Sequence, residues 1–272
     1  MIRSLKYGKQ LAIQPVFEKF CEYLEIPSLS HSEEKMVEKV TEDFEITDVV
    51  DGCPIQIVNP QNDYLFVSHI DRIRVPFVKP MLVKSGIVPY IQGQLDNSIC
   101  VAMLKVLSAS YNYNIMFTRE EECCYAQHYV VKAINELEIK YGKKFAVIDC
   151  DIDVFYKDDS WINSISLRSR DNVSLFTEDI VSRFRGLATS VGVNYSAKTD
   201  WLIGTVGWVR AKDPSIEGLY LGLPILNYHS EREIVALDTL YSYMRVLEAL
   251  GMLNDIKIGD YQDDDISYDS EN

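Results

Sequence analysis

Apolar positions recur at helical spacing along residues 11–25 (LAIQPVFEKFCEYLE), and Pro15 places the start of the regular helix near it, because proline is best tolerated in a first turn. Ser30-His31-Ser32-Glu33 has capping-box form ahead of the amphipathic run KMVEKVTEDF, which predicts a second helix. After this pair the texture changes. Short β-branched or aromatic runs (YLFVSHI, NIMFTR, KFAVID, INSISLR, GLYLGLPILNY) alternate with helical stretches (SICVAMLKVLSASY, AQHYVVKAINELEI, EDIVSRFRGLATSV, EREIVALDTLYSYMRVLEAL). Alternation of this kind predicts an α/β domain around a buried, mostly parallel sheet, whose ligands gather at the carboxyl ends of the strands. Between Arg74 and Gln94 the spacing of Pro76, Pro80, Gly86, Pro89 and Gly93 reads as loops and a hairpin. No repeat and no flexible linker divides the chain.

Composition narrows the classes. The 272 residues are 47% apolar, enough for a sizeable core, and the formal charge of −14 repels phosphate backbones, which argues against a nucleic-acid partner. No stretch approaches the ~20 apolar residues that cross a bilayer, so no membrane association is expected. Six cysteines lack zinc-finger spacing, and MIRSLKYGKQ lacks the apolar centre of a signal peptide, so reduced thiols in a cytoplasmic protein are expected. Residues 259–272 form an acidic end, expected as a solvated tail beyond a single domain over residues 1–258.

Several apolar runs end in acids or histidine. YLFVSHID ends in His69 and Asp71, IMFTREEE in Glu120, Glu121 and Glu122, FAVIDCDID in Asp149, Asp151 and Asp153, and PILNYHSE in His229 and Glu231; Asp96 precedes a helix. Taken singly, each reads as a helix cap, a solvated loop acid or a hydrogen-bonded core histidine. Carboxylates converging on one sheet rim repel one another unless cations lie between them, so the set as a whole points to metal.

The ordered series His69-Ile70-Asp71, Asp96-Asn97, Glu121-Glu122, Asp149 and Tyr228-His229-Ser230 resembles the dinuclear zinc aminopeptidase and deacylase superfamily. Its flanks agree: FTREEE resembles the family's Phe-Thr-x-x-Glu-Glu strand exit, and LGLPILNYHS its apolar-Pro-x-x-Tyr-x-His-Ser segment. Lys198-Thr199-Asp200 is similar to a turn of the glutamyl-aminopeptidase-like branch. The resemblance spans roughly residues 15 to 250 and implies a three-layer α/β/α sandwich with a mostly parallel mixed sheet, of zinc-exopeptidase type. It implies a metal-dependent hydrolase, foremost an aminopeptidase acting on peptides. The alternatives are an N-acyl amino acid deacylase with the same site and a non-catalytic binding protein that keeps the fold.

The implied cofactors are two divalent ions, zinc by preference with cobalt or manganese as alternatives, able together to polarise a carbonyl and activate water. By resemblance Asp96 bridges them, His69 and Asp149 complete one, and Glu122 and His229 the other. Asp149 is preferred to Asp151 because it directly follows FAVI, although both share one strand face. Asp71 is placed to orient the His69 ring, and Glu121 is the implied general base. Glu120 is left as a solvated strand-end acid.

Two departures from the family stand out. Cys124, beside Cys123, occupies a family glycine position, and this pair is expected as small buried residues starting a helix. Only 26 residues separate His69 from Asp96, where shell-forming relatives insert a domain. A compact form without that assembly is expected, which leaves a smaller homo-oligomer open. Recognition of the peptide or small amide substrate then falls to loops, with Arg72, Arg74, Arg168, Arg170 and Trp201 as candidates.

Overall fold

The computed structural model describes residues 9–74, 76, 78–154, 164–168, 178–198 and 204–255. The acidic end, Arg170, Thr199, Asp200 and Trp201 lie outside the described residues, as does the side chain of Arg168.

Among the described residues the chain runs α1 (Lys9–Leu24), α2 (Glu34–Asp43), β1 (Asp48–Val50), β2 (Cys53–Gln56), β3 (Tyr64–His69), β4 (Met81–Val83), β5 (Tyr90–Gly93) and α3 (Ser98–Ser108). It continues with β6 (Ile115–Thr118), α4 (Ala126–Tyr141), β7 (Ala146–Val154), β8 (Ser164–Arg168) and α5 (Glu178–Ser190). The last elements are β9 (Asn194–Lys198), α6 (Gly204–Lys212), β10 (Gly218–Ile225), β11 (Glu233–Ala236) and α7 (Leu237–Asp255).

The main sheet has the order β1-β2-β6-β3-β7-β10-β8-β9. Its centre, β6-β3-β7-β10, is parallel throughout, with antiparallel pairs at β1-β2, β2-β6 and β10-β8. Two apolar layers flank it. Phe66, Ile148, Cys150 and Ile152 face α1, α2, α3, α5 and α7, whereas Leu65, Val67 and Val147 face α4 and α6. This is the expected three-layer sandwich. Burial on both faces explains why β10 is covered along its whole length and carries no polar alternation.

Three local expectations fail for identifiable reasons. Helix α1 begins at Lys9 and carries Pro15 inside it. One lost N–H bond is tolerated there because Ile13, upstream of the proline, is buried in the core. The capping box does not form: the Ser30 hydroxyl donates to Asp71 Oδ2 at 2.6 Å, Glu33 is turned toward other donors, and α2 starts at Glu34. The stretch EREIVALDTL is not helical from its start, because Glu233–Ala236 forms β11.

Strand β11 pairs antiparallel with β5, which pairs with β4, giving a second, three-stranded sheet. The hairpin expected between Arg74 and Gln94 is thus β4-β5. It occupies the interval between His69 and Asp96 and brings Glu233 level with Gly93, just before the Asp96 loop. A side chain at Gly93 would meet the Phe20 ring at 3.0 Å, a tight contact that glycine avoids where this strand end lies close to α1.

Candidate metal centre

Strands β3, β6, β7 and β10 end at one rim of the main sheet, and the predicted residues follow from their registers. Val67 pairs with Asp149, so His69 stands level with Asp151, and it pairs directly with Thr118 just before Glu120 to Glu122. Even-numbered β7 residues are apolar and face α3 and α7, which turns Asp149 and Asp151 to the face shared with His69.

The structure brings His69, Asp96, Glu122 and His229 together. His69 Nε2 lies 3.0 Å from Asp96 Oδ1, and His229 Nε2 lies 3.3 Å from Asp96 Oδ2, so one carboxylate sits between two imidazoles. Glu122 Oε2 is 3.7 Å from His229 Nε2. Ligand atoms of His69, Asp96 and Glu122 fall within 4.8 Å of one another, a spacing that a single cation can gather.

Asp149 and Asp151 take different places. Asp151 Oδ1 is 3.3 Å from His69 Nε2. Asp149 turns instead to the start of α6, where its Oδ2 accepts from Val206 N at 3.0 Å. A Cβ at Gly204 would sit 2.4 Å from the Tyr220 ring and 2.8 Å from that oxygen, so glycine is what admits the helix end to Asp149.

Asp71 does more than orient a ring. Its Oδ1 is 3.3 Å and its carbonyl oxygen 3.1 Å from His69 Nδ1, while Oδ1 accepts from Glu121 N at 3.0 Å and Oδ2 from Glu122 N at 3.1 Å. A fully buried carboxylate two residues beyond β3 therefore also fixes the backbone of the Glu-Glu pair. Glu33, equally buried, accepts from Arg119 Nη2 at 3.1 Å, His31 N at 2.9 Å and Glu120 N at 3.3 Å. Glu120 is not the solvated acid expected, since it pairs with His31 Nδ1 at 3.1 Å and accepts from Tyr129 Oη at 2.7 Å.

Cys123 and Cys124 are exposed rather than buried, and they precede the helix rather than start it. Cys124 has φ +56°, the left-handed conformation that a glycine adopts freely, so the backbone shape survives the change of residue. Glu120 (+56°) and His229 (+57°) share it, and such strain gathers where the surroundings over-determine the chain.

The electrostatics call for positive charge. Burial first, then Asp151, Asp96 and Asp149, push Glu121 up to about 8; burial and Asp96 push Glu122 up to about 9. Burial and Asp151 raise Asp149 to about 8. Burial alone would lower His69, but Asp151, Asp71 and Asp96 outweigh it and raise its pKa. Among the described residues, no lysine or arginine forms an ion pair with Asp96, Glu121, Glu122, Asp149 or Asp151. Glu122 Oε1 is buried and accepts no hydrogen bond, and Asp96 Oδ1, equally buried, faces the His69 imidazole. Buried carboxylates facing two imidazoles, with the Glu122 oxygen left orphaned, fit divalent metal.

The arginine candidates separate. Arg72 is 2% exposed and spends its guanidinium on Ser28 Oγ and the carbonyls of Leu24 and Ile26, closing the C-terminus of α1. Arg74 is exposed and donates to the carbonyl of His229 at 3.0 Å. Sequence patterns missed Glu233, which is fully buried, and it belongs to the site: Oε2 accepts from Leu95 N at 2.6 Å and Asp96 N at 3.1 Å, and Oε1 from His229 N at 2.8 Å.

No protein-family model and no curated protein sequence matches the chain. Solved structures do. The Pyrococcus horikoshii TET1 peptidase, which assembles into a tetrahedron or an octahedral shell, matches with a TM-score of 0.65 at 15% identity, over 87% of this chain and 99% of that one. The aminopeptidase APDkam598 of Desulfurococcus kamchatkensis matches at 0.68 and 10% identity, over 89% and 95%. Aminopeptidase PepT of Bacillus cereus matches at 0.63 and 12% identity, over 88% and 97%. The chain thus has the fold of these peptidases, as expected for the superfamily that the sequence resembles. No helix among the described residues is long and apolar enough to cross a membrane.

Proposed function

We propose that the chain is a metal-dependent aminopeptidase. The observation that carries this reading is the Asp96 carboxylate held between His69 and His229, with a buried Glu122 oxygen beside them that accepts no hydrogen bond. The fold shared with proteins named as aminopeptidases supports it. In this reading Asp96 with His69 and Asp151 would hold one ion, and Asp96 with Glu122 and His229 would hold a second. Asp151 replaces the Asp149 expected from sequence, because the β3-β7 register sets it beside His69 and Asp149 is committed to α6. Bound divalent ions, zinc by preference for imidazole and carboxylate donors, supply Lewis-acid polarisation of the scissile carbonyl and lower the pKa of water.

The protein's own groups do the rest. Glu121 takes a proton from the attacking water and returns it to the leaving amine nitrogen. Asp71 holds that glutamate's backbone and the His69 ring in one arrangement, so the base and a ligand cannot drift apart. The free thiols suit a cytoplasmic setting, and a homo-oligomer suits the fold.

Purified protein is expected to hold up to two transition-metal ions per chain and to release amines from aminoacyl-anilides, with activity lost to chelator and restored by zinc or cobalt. Hydrolysis confined to N-acyl amino acids would reassign it as a deacylase. Protein that binds no metal and stays inert after zinc or cobalt is added would overturn the reading. Asp151→Asn is expected to lose one ion, whereas Asp149→Asn keeps both and costs roughly 0.5–2 kcal/mol through its cap on α6. Metal counts and urea unfolding of the two variants separate these outcomes.

A further inference from the structure

Glu233 carries no ligand and no proton in the reaction above, yet its surroundings are unusual. It lies on β11, fully buried, and among the described residues no lysine or arginine pairs with it. Its carboxylate is instead satisfied by three backbone N–H groups, those of Leu95, Asp96 and His229. Two of these belong to the residues whose side chains meet at 3.3 Å through Asp96 Oδ2 and His229 Nε2. These residues come from distant parts of the chain, one between β5 and α3 and the other after β10.

We propose that Glu233 is a positioning residue, one carboxylate that clamps the Asp96 and His229 backbones at the separation their side chains need to share a cation. The clamp deepens the metal-hydrolase reading and rests on it. His229 has φ +57°, and both of its peptide groups are held: Glu233 Oε1 takes the N–H, and Arg74 Nη2 donates to the carbonyl at 3.0 Å. A strained residue persists only where its neighbours over-determine it, and here the strain aims the imidazole at Asp96. Strand pairing supplies the other half of the device. Glu233 is level with Gly93 on β5, two residues before Leu95, so the minor sheet presents the carboxylate to the Asp96 loop as a consequence of its register.

Glutamine at this position keeps the size but not the function. With its one carbonyl oxygen toward Leu95 and Asp96, its NH₂ faces the His229 N–H; turned over, it releases the other pair. Glu233→Gln in the full chain is therefore expected to free one backbone or the other. In chelator, hydrogen–deuterium exchange of the 93–97 or the 227–230 segment should quicken at least about tenfold, while β7 exchanges as in the parent protein. Zinc affinity, measured against a competing chelator, should fall at least about tenfold in the same variant. Parent-like exchange in both segments, or faster exchange everywhere, overturns the clamp. If the parent itself binds no zinc, the hydrolase reading fails, and the exchange comparison still decides the clamp. Should Glu233→Gln not fold, Glu233→Asp, which keeps the charge but withdraws it by one methylene, is measured in its place. Collapse of both variants makes Glu233 a general folding residue and overturns the positioning role.

Discussion

Glu121→Gln is expected to lower kcat for aminoacyl-anilide hydrolysis by about 10²–10⁴-fold while the protein keeps its fold and its full complement of metal. Glutamine matches glutamate in size, and the Glu121 backbone is held from below by Asp71 Oδ1, so the neighbouring Glu122 stays in place. What disappears is the ability to accept a proton. Glu121 is half-buried among Asp96, Asp149 and Asp151, and among the described residues it is the acid of the strand exit that forms no ion pair with a histidine: Glu120 pairs with His31 and Glu122 with His229. Parallel measurement of kcat and of bound metal makes the result decisive. Loss of metal along with activity would show that Glu121 is a ligand, and near-parental kcat with full metal would remove it from catalysis. Asp96→Asn is the contrasting control, because it withdraws charge from both imidazoles at once and should empty the site.

The strand exits were legible as a set, because acids and histidines recur at the ends of several apolar runs although each alone has an ordinary reading. His69, Asp96, Glu122 and His229 converge because the parallel strands end at one rim. The choice between Asp149 and Asp151 was not legible, since both share the period-2 face, and only the non-local register of β7 against β3 separates them. Glu233 was hidden for a similar reason. Four residues of strand before α7 look like the helix's own first turn until β5 supplies the partner. Ser30 and Glu33 do fit a local capping pattern, but tertiary partners outbid it: Asp71 takes the Ser30 hydroxyl, and Arg119 takes the Glu33 carboxylate. The β1-β2 hairpin escaped although Asp51-Gly52, with φ +48° and +79°, is a strong turn signal, because its strands are only three and four residues long. Local pattern reveals which groups reach the rim. Asp71 was legible as the orienter of His69, but its hold on the Glu121-Glu122 backbone, and the roles of Glu33 and Glu233, are revealed by long-range pairing alone.

Stripped of metal, the protein is expected to lose stability as pH rises from 5.5 to 8.5, and zinc should reverse the trend. The sign follows from the acids whose folded pKa is raised above the ordinary 3.8 to 4.5: Glu121, Asp149 and Glu233 to about 8 and Glu122 to about 9, with Asp151 raised as well. A native state that binds more protons than the unfolded chain is favoured at low pH, so their contribution is complete below about pH 4.5 and is lost as pH rises through 8 to 9. His69, also raised, adds to the loss above its ordinary 6.5. Asp71 and Asp96 are lowered from 3.8, so they titrate below this window and do not oppose it. Each retained proton is worth about 1.4 kcal/mol per pH unit, which for one to two protons gives a decline of roughly 1.4–3 kcal/mol per unit. Metal substitutes for those protons, and its affinity grows as the ligands deprotonate, so the zinc-loaded protein gains on the stripped one with every unit of pH. At a thousandfold excess over Kd the gap reaches about 4 kcal/mol. Urea unfolding across the range, in chelator and in zinc, measures both slopes. The general repulsion of a chain with formal charge −14 also weakens the fold as pH rises, so the Glu121→Gln, Glu122→Gln double variant is the needed control. If Glu121 and Glu122 carry the larger part of the decline, the chelated double variant has a flatter slope; an unchanged slope would assign it to Asp149, Asp151 and Glu233 or to the surface.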